Sequence, residues 1–223
     1  MYYNLFNLVT DPFKKIDTFF LQQKSFHYRR RETMLFTNDT PPGVFYLTKG
    51  YVRSYLLSKE GKELTVSLLK PYDIFPMQWV MNNLLTSHYF EALTEVEVYR
   101  ASKENFLEFL QTNNDVFFSI TSKTLLRYHE ASERREAAIL GNASEKVAGI
   151  LAFLAHHFGT KFQKEIHIDI AFTHRDIASL TGLTRETVSL EMERFEKEQL
   201  ITHKDHKIII KNIQELQNSA NVM

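Results

Sequence analysis

The side chains best suited to chemistry concentrate at positions 173–200, THRDIASLTGLTRETVSLEMERFEKEQL. Val188, Met192 and Phe195 recur there at helical spacing. A helix that buries those three turns Arg185, Glu186, Ser189 and Leu190 away from the core. The exposed set offers hydrogen-bond donors and acceptors to a partner. Thr173, with Asp176 three residues on, forms a capping box for a preceding short helix that carries Ile177, Ala178 and Leu180. Gly182 allows a sharp turn, and Thr184 is the N-cap of the second helix. Ala178 and Gly182 are small enough to let the two helices cross closely, while Ile177, Leu183 and Val188 fill the angle between them. That is the helix-turn-helix pattern. Ile201 and Thr202, a polar stretch at 203–207 and the apolar 208–210 then read as strand, turn and strand, a wing. The combination points to DNA binding.

Charge supports this only weakly. From Asn142 onward there are ten Lys or Arg and eleven Asp or Glu. Affinity from phosphate neutralisation alone should therefore be modest. His156, His157, His167, His174, His203 and His206 could add charge below pH about 6.5. Solvated or locally hydrogen-bonded rings are the plainer reading of each.

The segments before this pair of helices must carry and orient it. At 102–140 no Gly or Pro occurs, and the spacing is helical. Ser102 caps a short helix ending near Leu110; Asn113 or Asn114 then opens a long one, over 115–140. A helix of that length spans about 39 Å at 1.5 Å per residue, more than one domain of this size uses internally. Phe117, Ile120, Thr124, Tyr128, Ala131 and Ala138 lie along one face, and Val116, Leu125, Leu126 and Ile139 along another. A helix apolar on two faces is either one long core helix or, the reading its length favours, a helix that packs on its own domain and on a second copy. Asn142 with Glu145 is a capping-box start for a further helix to about Phe158, stopped by Gly159, so the hinge falls at Gly141 and Asn142. Earlier in the chain Pro41, Pro42, Gly43, Gly50, Gly61, Pro71 and Pro76 separate short β-rich runs at 44–47, 51–57, 64–69, 88–93 and 95–100. Gly61 marks a hairpin turn at 58–63. Many short strands with frequent turns predict a small barrel or sandwich.

The 223 residues suit one large domain or two modest ones. Lys plus Arg and Asp plus Glu both number 27, and there is no cysteine. Disulfides, thiolate zinc sites, cysteine-ligated iron–sulfur clusters and a thiol nucleophile are thereby excluded. No apolar run reaches the roughly 18 residues of a membrane span. The opening MYYNLFNLVT lacks the cationic start and apolar block of a secretion signal, so a cytoplasmic protein is expected.

The run Thr184, Arg185, Glu186, Thr187, Val188 and Ser189 resembles the recognition-helix start of the CRP/FNR transcription regulators. The likeness extends to VFYLTKGYVR at 44–53, to the hairpin at 59–63, and without a gap over 115–148 to the family's dimerisation helix and hinge. It implies an α+β fold: an N-terminal double-stranded β-helix (a jelly-roll-like, cyclic-nucleotide-binding-like β-roll) at 1–112, a dimerisation helix at 113–141 and a C-terminal winged helix-turn-helix at 142–223. It also implies a homodimer on a palindromic operator in double-stranded DNA, with the recognition helix at 184–195 in the major groove and RNA polymerase as a further partner. Arg185 and Glu186 match positions that touch base edges and backbone. Arg can bond guanine bidentately, and Glu can accept from a cytosine amino group. Ser189 matches another base-reaching position, and Thr184 and Thr187 are placed for phosphate. Thr173 and the wing lysines Lys204 and Lys207 complete the expected DNA contacts. Leu190 departs from the pattern, standing where many members carry a base-reading Arg, and Glu191 stands where an apolar residue is preferred. Either Leu190 meets a thymine methyl or the helix is rotated so that Leu190 packs inward.

The family's nucleotide-binding members use Gly-Glu for the sugar and Arg-Ser for the cyclic phosphate, with two helix residues on the adenine. The matching positions here are Pro76 and Met77, His88 and Tyr89, and Ala131 and Ser132. Pro removes an amide donor and the phosphate-binding guanidinium is missing, so neither cAMP nor cGMP is expected as a ligand. Tyr72, Phe75, Trp79, Tyr89 and Phe90 with Met77 and Met81 form an aromatic-rich stretch. An apolar core is the favoured reading, with haem ligation by His88 as the alternative. Arg29, Arg30 and Arg31 read as a solvated run with a structural role. Two other classes compete with the regulator: a cupin-like metal enzyme, for which the β half offers only His27 and His88 with His129 on the long helix, and a sensor module acting through a protein partner.

Overall fold

The protein is described here by a computed structural model covering residues 11–220, with the backbone alone at Ala137. The opening MYYNLFNLVT lies outside the described residues. The chain divides into two compact units. One comprises the residues up to Ser54 together with Ser67–Arg127; the other comprises Tyr55–Val66 together with the residues from Tyr128 on.

The first unit begins with α1 (Pro12–Leu21), started by Asp11, whose side chain accepts from the Phe13 N–H, and by a proline in the first turn. Along the chain follow strands β1 (Lys24–Tyr28), β2 (Thr33–Leu35), β3 (Val44–Lys49), β4 (Val52–Leu57), β5 (Glu63–Leu69), β6 (Ile74–Phe75), β7 (Tyr89–Ala92) and β8 (Val96–Ala101), with helix α2 (Met77–Asn82) between β6 and β7; positions 55–57 of β4 and 63–66 of β5 belong to the second unit. The strands form two four-stranded sheets, ordered β1-β8-β3-β6 and β2-β7-β4-β5. Residues of both sheets fill the space between them: Leu35, Phe45, Leu47, Val52, Leu69, Phe75, Phe90 and Val98. Phe75 stacks on Phe45 at 5.3 Å and on Phe90 at 5.2 Å. Strand β3 is buried on both faces. Its other face, Val44 and Tyr46, packs with Phe20 of α1 and with Phe106 of α3 (Lys103–Thr112). Each fully buried aromatic or aliphatic side chain contributes about 1.5–3 kcal/mol. The small barrel or sandwich expected from the turn spacing is present as this pair of packed sheets, the β-roll that the resemblance implies, with β3, β4, β5, β7 and β8 on the five runs read from the sequence.

Buried charge pins the roll together. Arg53 on β4 meets Glu91 on β7 through two bonds, Nε to Oε1 at 3.1 Å and Nη2 to Oε2 at 3.2 Å, both side chains being buried. Arg31 Nη1 lies 3.2 Å from the same Glu91. The arginine run at 29–31 is exposed and, at its last member, structural, because the buried carboxylate of Glu91 on β7 draws Arg31 in. The long helix α4 (Asn114–Leu140) packs one face on the roll through Val116 and Ile120. One turn and two turns further on, Lys123 (2.8 Å) and Arg127 both pair with the fully buried Asp73.

A different face of α4 is bare in the single chain. Phe118, Leu125 and Ile139 recur there at multiples of seven; Leu125 is 64% and Ile139 72% exposed.

The second unit is built on α5 (Ala143–Phe158). Asn142 and Glu145 satisfy each other's neighbouring amides in a capping box (Glu145 N to Asn142 Oδ1, 3.0 Å), as the sequence predicts. Val147, Leu151, Leu154 and Phe158 form its buried stripe. Two strands, β9 (Gly159–Phe162) and β10 (Glu165–Ile168), come next, then α6 (His174–Thr181), α7 (Arg185–Lys197), β11 (Ile201–Lys204), β12 (Lys207–Ile210) and α8 (Ile213–Ser219). The strands make one sheet in the order β11-β12-β10-β9, so the wing expected from 201–210 is half of a four-stranded sheet. Thr65, on the hairpin segment of this unit, and Ser179 are both buried, with their hydroxyls 2.8 Å apart.

Candidate nucleic-acid interface

Local rules set the geometry of α6 and α7. The Thr173 N–H donates to Asp176 Oδ2 at 2.9 Å, and the Asp176 N–H returns to Thr173 Oγ1 at 3.2 Å. Gly182 ends α6 in the left-handed region, φ +74°, with its N–H on the Ala178 carbonyl at 2.9 Å. Without a Cβ it makes this turn at no steric cost. Thr184 accepts from the Thr187 N–H at 3.2 Å and starts α7. Ile177, Val188, Met192 and Phe195 are buried where the helices cross; Leu183 is partly buried.

That packing fixes which residues face outward. Arg185, Glu186 and Leu190 are exposed, and Ser189 is half-buried. The two readings of Leu190 separate here: at 68% exposure it points into solvent rather than inward. Glu191 is partly buried, with its Oε2 3.3 Å from Arg194 Nη2. Thr173 and Thr184 are exposed with their hydroxyls engaged as caps, and the Thr187 hydroxyl lies 2.9 Å from that of Thr184. Lys204 and Lys207 are exposed partners across the wing.

His174, expected as a solvated or locally hydrogen-bonded ring, is half-buried. It lies against α7 instead, its Nδ1 2.8 Å from Ser189 Oγ. Burial, then the neighbouring His203 and Arg185, hold its imidazole below the ordinary histidine range. Its place directly after the Thr173 cap was the available signal.

The residues aligned with a ligand pocket are placed differently. Pro76 is the N-cap of α2, and Met77 packs with the cluster around Tyr46 and Phe106. His88 is partly buried; its N–H bonds Thr86 Oγ1 at 3.1 Å, and burial lowers the proton affinity of its ring. Tyr89 meets Phe36 edge-on at 6.2 Å. Ala131 is exposed and Ser132 half-buried on α4. The single aromatic core expected over 72–90 divides. Phe75 and Phe90 lie between the sheets, Met77 and Trp79 join the cluster on the far side of β3, and Tyr72 and Met81 are exposed. The reason is that β6 and α2 straddle the sheet, a separation that spacing along the chain does not encode. His27 is exposed and 3.8 Å from Glu97, and His129 is exposed and 3.5 Å from Glu133. Among the described residues no group of three or more His, Asp or Glu is disposed to hold a metal.

Residues 25–113 match the cyclic nucleotide-binding domain, and residues 145–219 match the Crp-like helix-turn-helix domain. The chain belongs to the CRP/FNR family. Its relatives include the global nitrogen regulator of Nostoc sp., 24% identical over 185 residues, 82% of this chain and 83% of the relative. The cAMP-activated global transcriptional regulator CRP of Salmonella typhimurium is 25% identical over 203 residues, 90% and 95% of the two chains. Among solved structures, a CooA mutant from Carboxydothermus hydrogenoformans superposes with a TM-score of 0.75 at 22% identity, covering 91% of this chain and 89% of that one. The CRP/FNR family consists of transcription regulators, not enzymes, and this member carries their helix-turn-helix DNA-binding domain. The positions that the resemblance assigns to a cyclic nucleotide carry different chemistry here. Pro76 has no N–H to give, Met77 has no carboxylate for a sugar hydroxyl, and burial disfavours charge on His88, which has no guanidinium for the phosphate.

Proposed function

We propose that two copies of this chain bind a palindromic DNA duplex, the first turns of both α7 helices entering successive major grooves, with no requirement for cAMP or cGMP. The carrying observation is the outward display of Arg185, Glu186 and Leu190 from a helix anchored by buried Val188, Met192 and Phe195. Arg185 reads guanine, Glu186 accepts from a cytosine amino group, and Leu190 rests on a thymine methyl. Ser189 reaches a base edge. Thr173, Thr184, Thr187, Lys204 and Lys207 contact the backbone and set the register. Dimerisation uses the bare α4 face, because a second copy would cover the exposed Phe118, Leu125 and Ile139. On this reading residues 1–112, 113–141 and 142–223 act as sensor, dimer helix and DNA-binding head.

Absence of a fitting nucleotide site at Pro76, Met77, His88 and Tyr89 supports a regulator that is either competent as made or set by another ligand. It works in the cytoplasm, with RNA polymerase as the machinery it influences. Among the described residues no helix is long and apolar enough to cross a membrane.

Selection of binding sites from random duplexes, with no added ligand, tests the reading. Two inverted half-sites about 34 Å apart are expected, the spacing general to helix-turn-helix dimers. Leu125→Glu combined with Ile139→Glu should give monomers in sedimentation and abolish that spacing. Recovery of no sequence, or recovery only after adding cAMP, would overturn it.

A further inference from the structure

We propose that His174 is the specificity-setting partner of Ser189: neutral, it accepts the serine proton and leaves Oγ to accept from a base; protonated, it donates to Oγ and frees the hydroxyl to donate.

This rests on the reading that α7 enters the major groove. The contact is direct, His174 Nδ1 to Ser189 Oγ at 2.8 Å, and it joins two helices across 15 positions of sequence. A hydroxyl has one proton, so its partner decides what it shows to anything else. A neutral imidazole favours its proton on Nε2, which leaves Nδ1 as an acceptor. Ser189 then faces the groove as an acceptor, suited to adenine N6 or cytosine N4. An imidazolium donates from both nitrogens, and Ser189 then suits guanine O6 or N7, or thymine O4.

The surroundings make this a balanced switch. From α7, Arg185 opposes a second positive charge, while Glu193 and Glu196 favour one. From the wing, His203 lies 6.2 Å away between ring centroids and also opposes it, and its own Nδ1 is held by Glu196. Lys204, Asp205 and His206 line the same shallow cleft. On the ring's own helix, Arg175 is exposed and Asp176 is committed to the Thr173 cap. Burial keeps the ring neutral near pH 7 in the free protein. Phosphates arriving beside it favour the proton, so DNA binding should take one up as pH falls.

The test is site selection with the full-length protein at pH 8 and pH 5.5 and constant salt, followed by anisotropy titrations on duplexes differing at the base pair under Ser189. The wild type should change its preference there from a base presenting a donor to one presenting an acceptor, by about tenfold in relative affinity. His174→Ala should abolish the pH-dependent change and keep the rest of the motif. Ser189→Ala should remove the preference at both pH values. His203→Gln should keep the change and move its midpoint upward, because a charge opposing the His174 proton is gone. Amide NMR spectra of the free proteins check that each variant is folded, and a titration of His174 in the wild type, Ser189→Ala and His203→Gln follows its proton. A wild-type preference at that position that is the same at both pH values, or an equal loss of the change in His174→Ala and His203→Gln, overturns the assignment. A wild type that selects no sequence at any pH defeats the DNA-binding reading itself, and this inference with it.

Discussion

In the N-terminal roll, Arg53 and Arg31 converge on buried Glu91, and Lys123 and Arg127 converge on buried Asp73. In the C-terminal unit Arg185 and Glu186 stand in solvent, and the groups buried beneath them are Val188, Met192 and Phe195. Charge therefore has opposite roles in the two regions. In the roll it bridges strands and ties the middle of α4 to the turn before β6, and removing one partner strands the other in a low-dielectric interior. In the helix-turn-helix the stripe that anchors α7 is apolar, the buried carboxylate of α6, Asp176, is held by the Thr173 cap, and Arg185 and Glu186 are exposed to meet a ligand. The same residue types are structural in one unit and recognitional in the other, and burial decides which.

The largest effect should come from the roll. Glu91→Ala leaves Arg53 buried without its carboxylate and should cost about 3–5 kcal/mol in urea unfolding. The base preference of whatever protein remains folded should be unchanged. A loss below about 1 kcal/mol would mean the pair is no more than a surface contact and would break the contrast. On the other side, Arg185→Ala should weaken binding to the selected site by about 1–3 kcal/mol and relax the preference at one base pair. Its unfolding free energy should move by no more than about 0.5 kcal/mol. Gly182→Ala sharpens the view that the head is set by backbone rather than by charge. The left-handed φ of +74° should make it cost about 1–2 kcal/mol in stability, and DNA affinity should fall with it through the altered helix crossing. The smallest effect is on pH. His88 has a folded-state proton affinity depressed by burial, so the unfolded chain takes up a proton first as pH falls below about 6.5. Stability should decline through that window, and His88→Asn should flatten the decline. An unchanged slope in the variant would show that His88 does not titrate with unfolding.

What could be read early was what is encoded within a few residues. The boxes Thr173 with Asp176 and Asn142 with Glu145, and the stop at Gly182, each join partners three or four positions apart, and all three are present in the structure. The α1 start at Asp11 and Pro12 is a signal of the same local kind, as is the alternation in Ile166 and Ile168 that marks β10, and both lie outside the elements expected from spacing above. By contrast, Arg53 meets Glu91 across 38 positions, and Tyr72 and Phe75 part company although they are neighbours.

The chain by itself therefore determined five β-rich runs before a long helix, the hinge after it, the paired helices and wing, the identity of the outward residues at 185 and 186, and the exclusion of thiol chemistry. The tertiary structure alone decided that Leu190 faces solvent, that Arg31 is drawn to Glu91, that the aromatic stretch divides across a sheet, and that His174 holds Ser189. Caps and turns are satisfied by backbone groups next to them in sequence. A side chain's burial and partner depend on which distant segments the fold brings against it, and no local spacing carries that information.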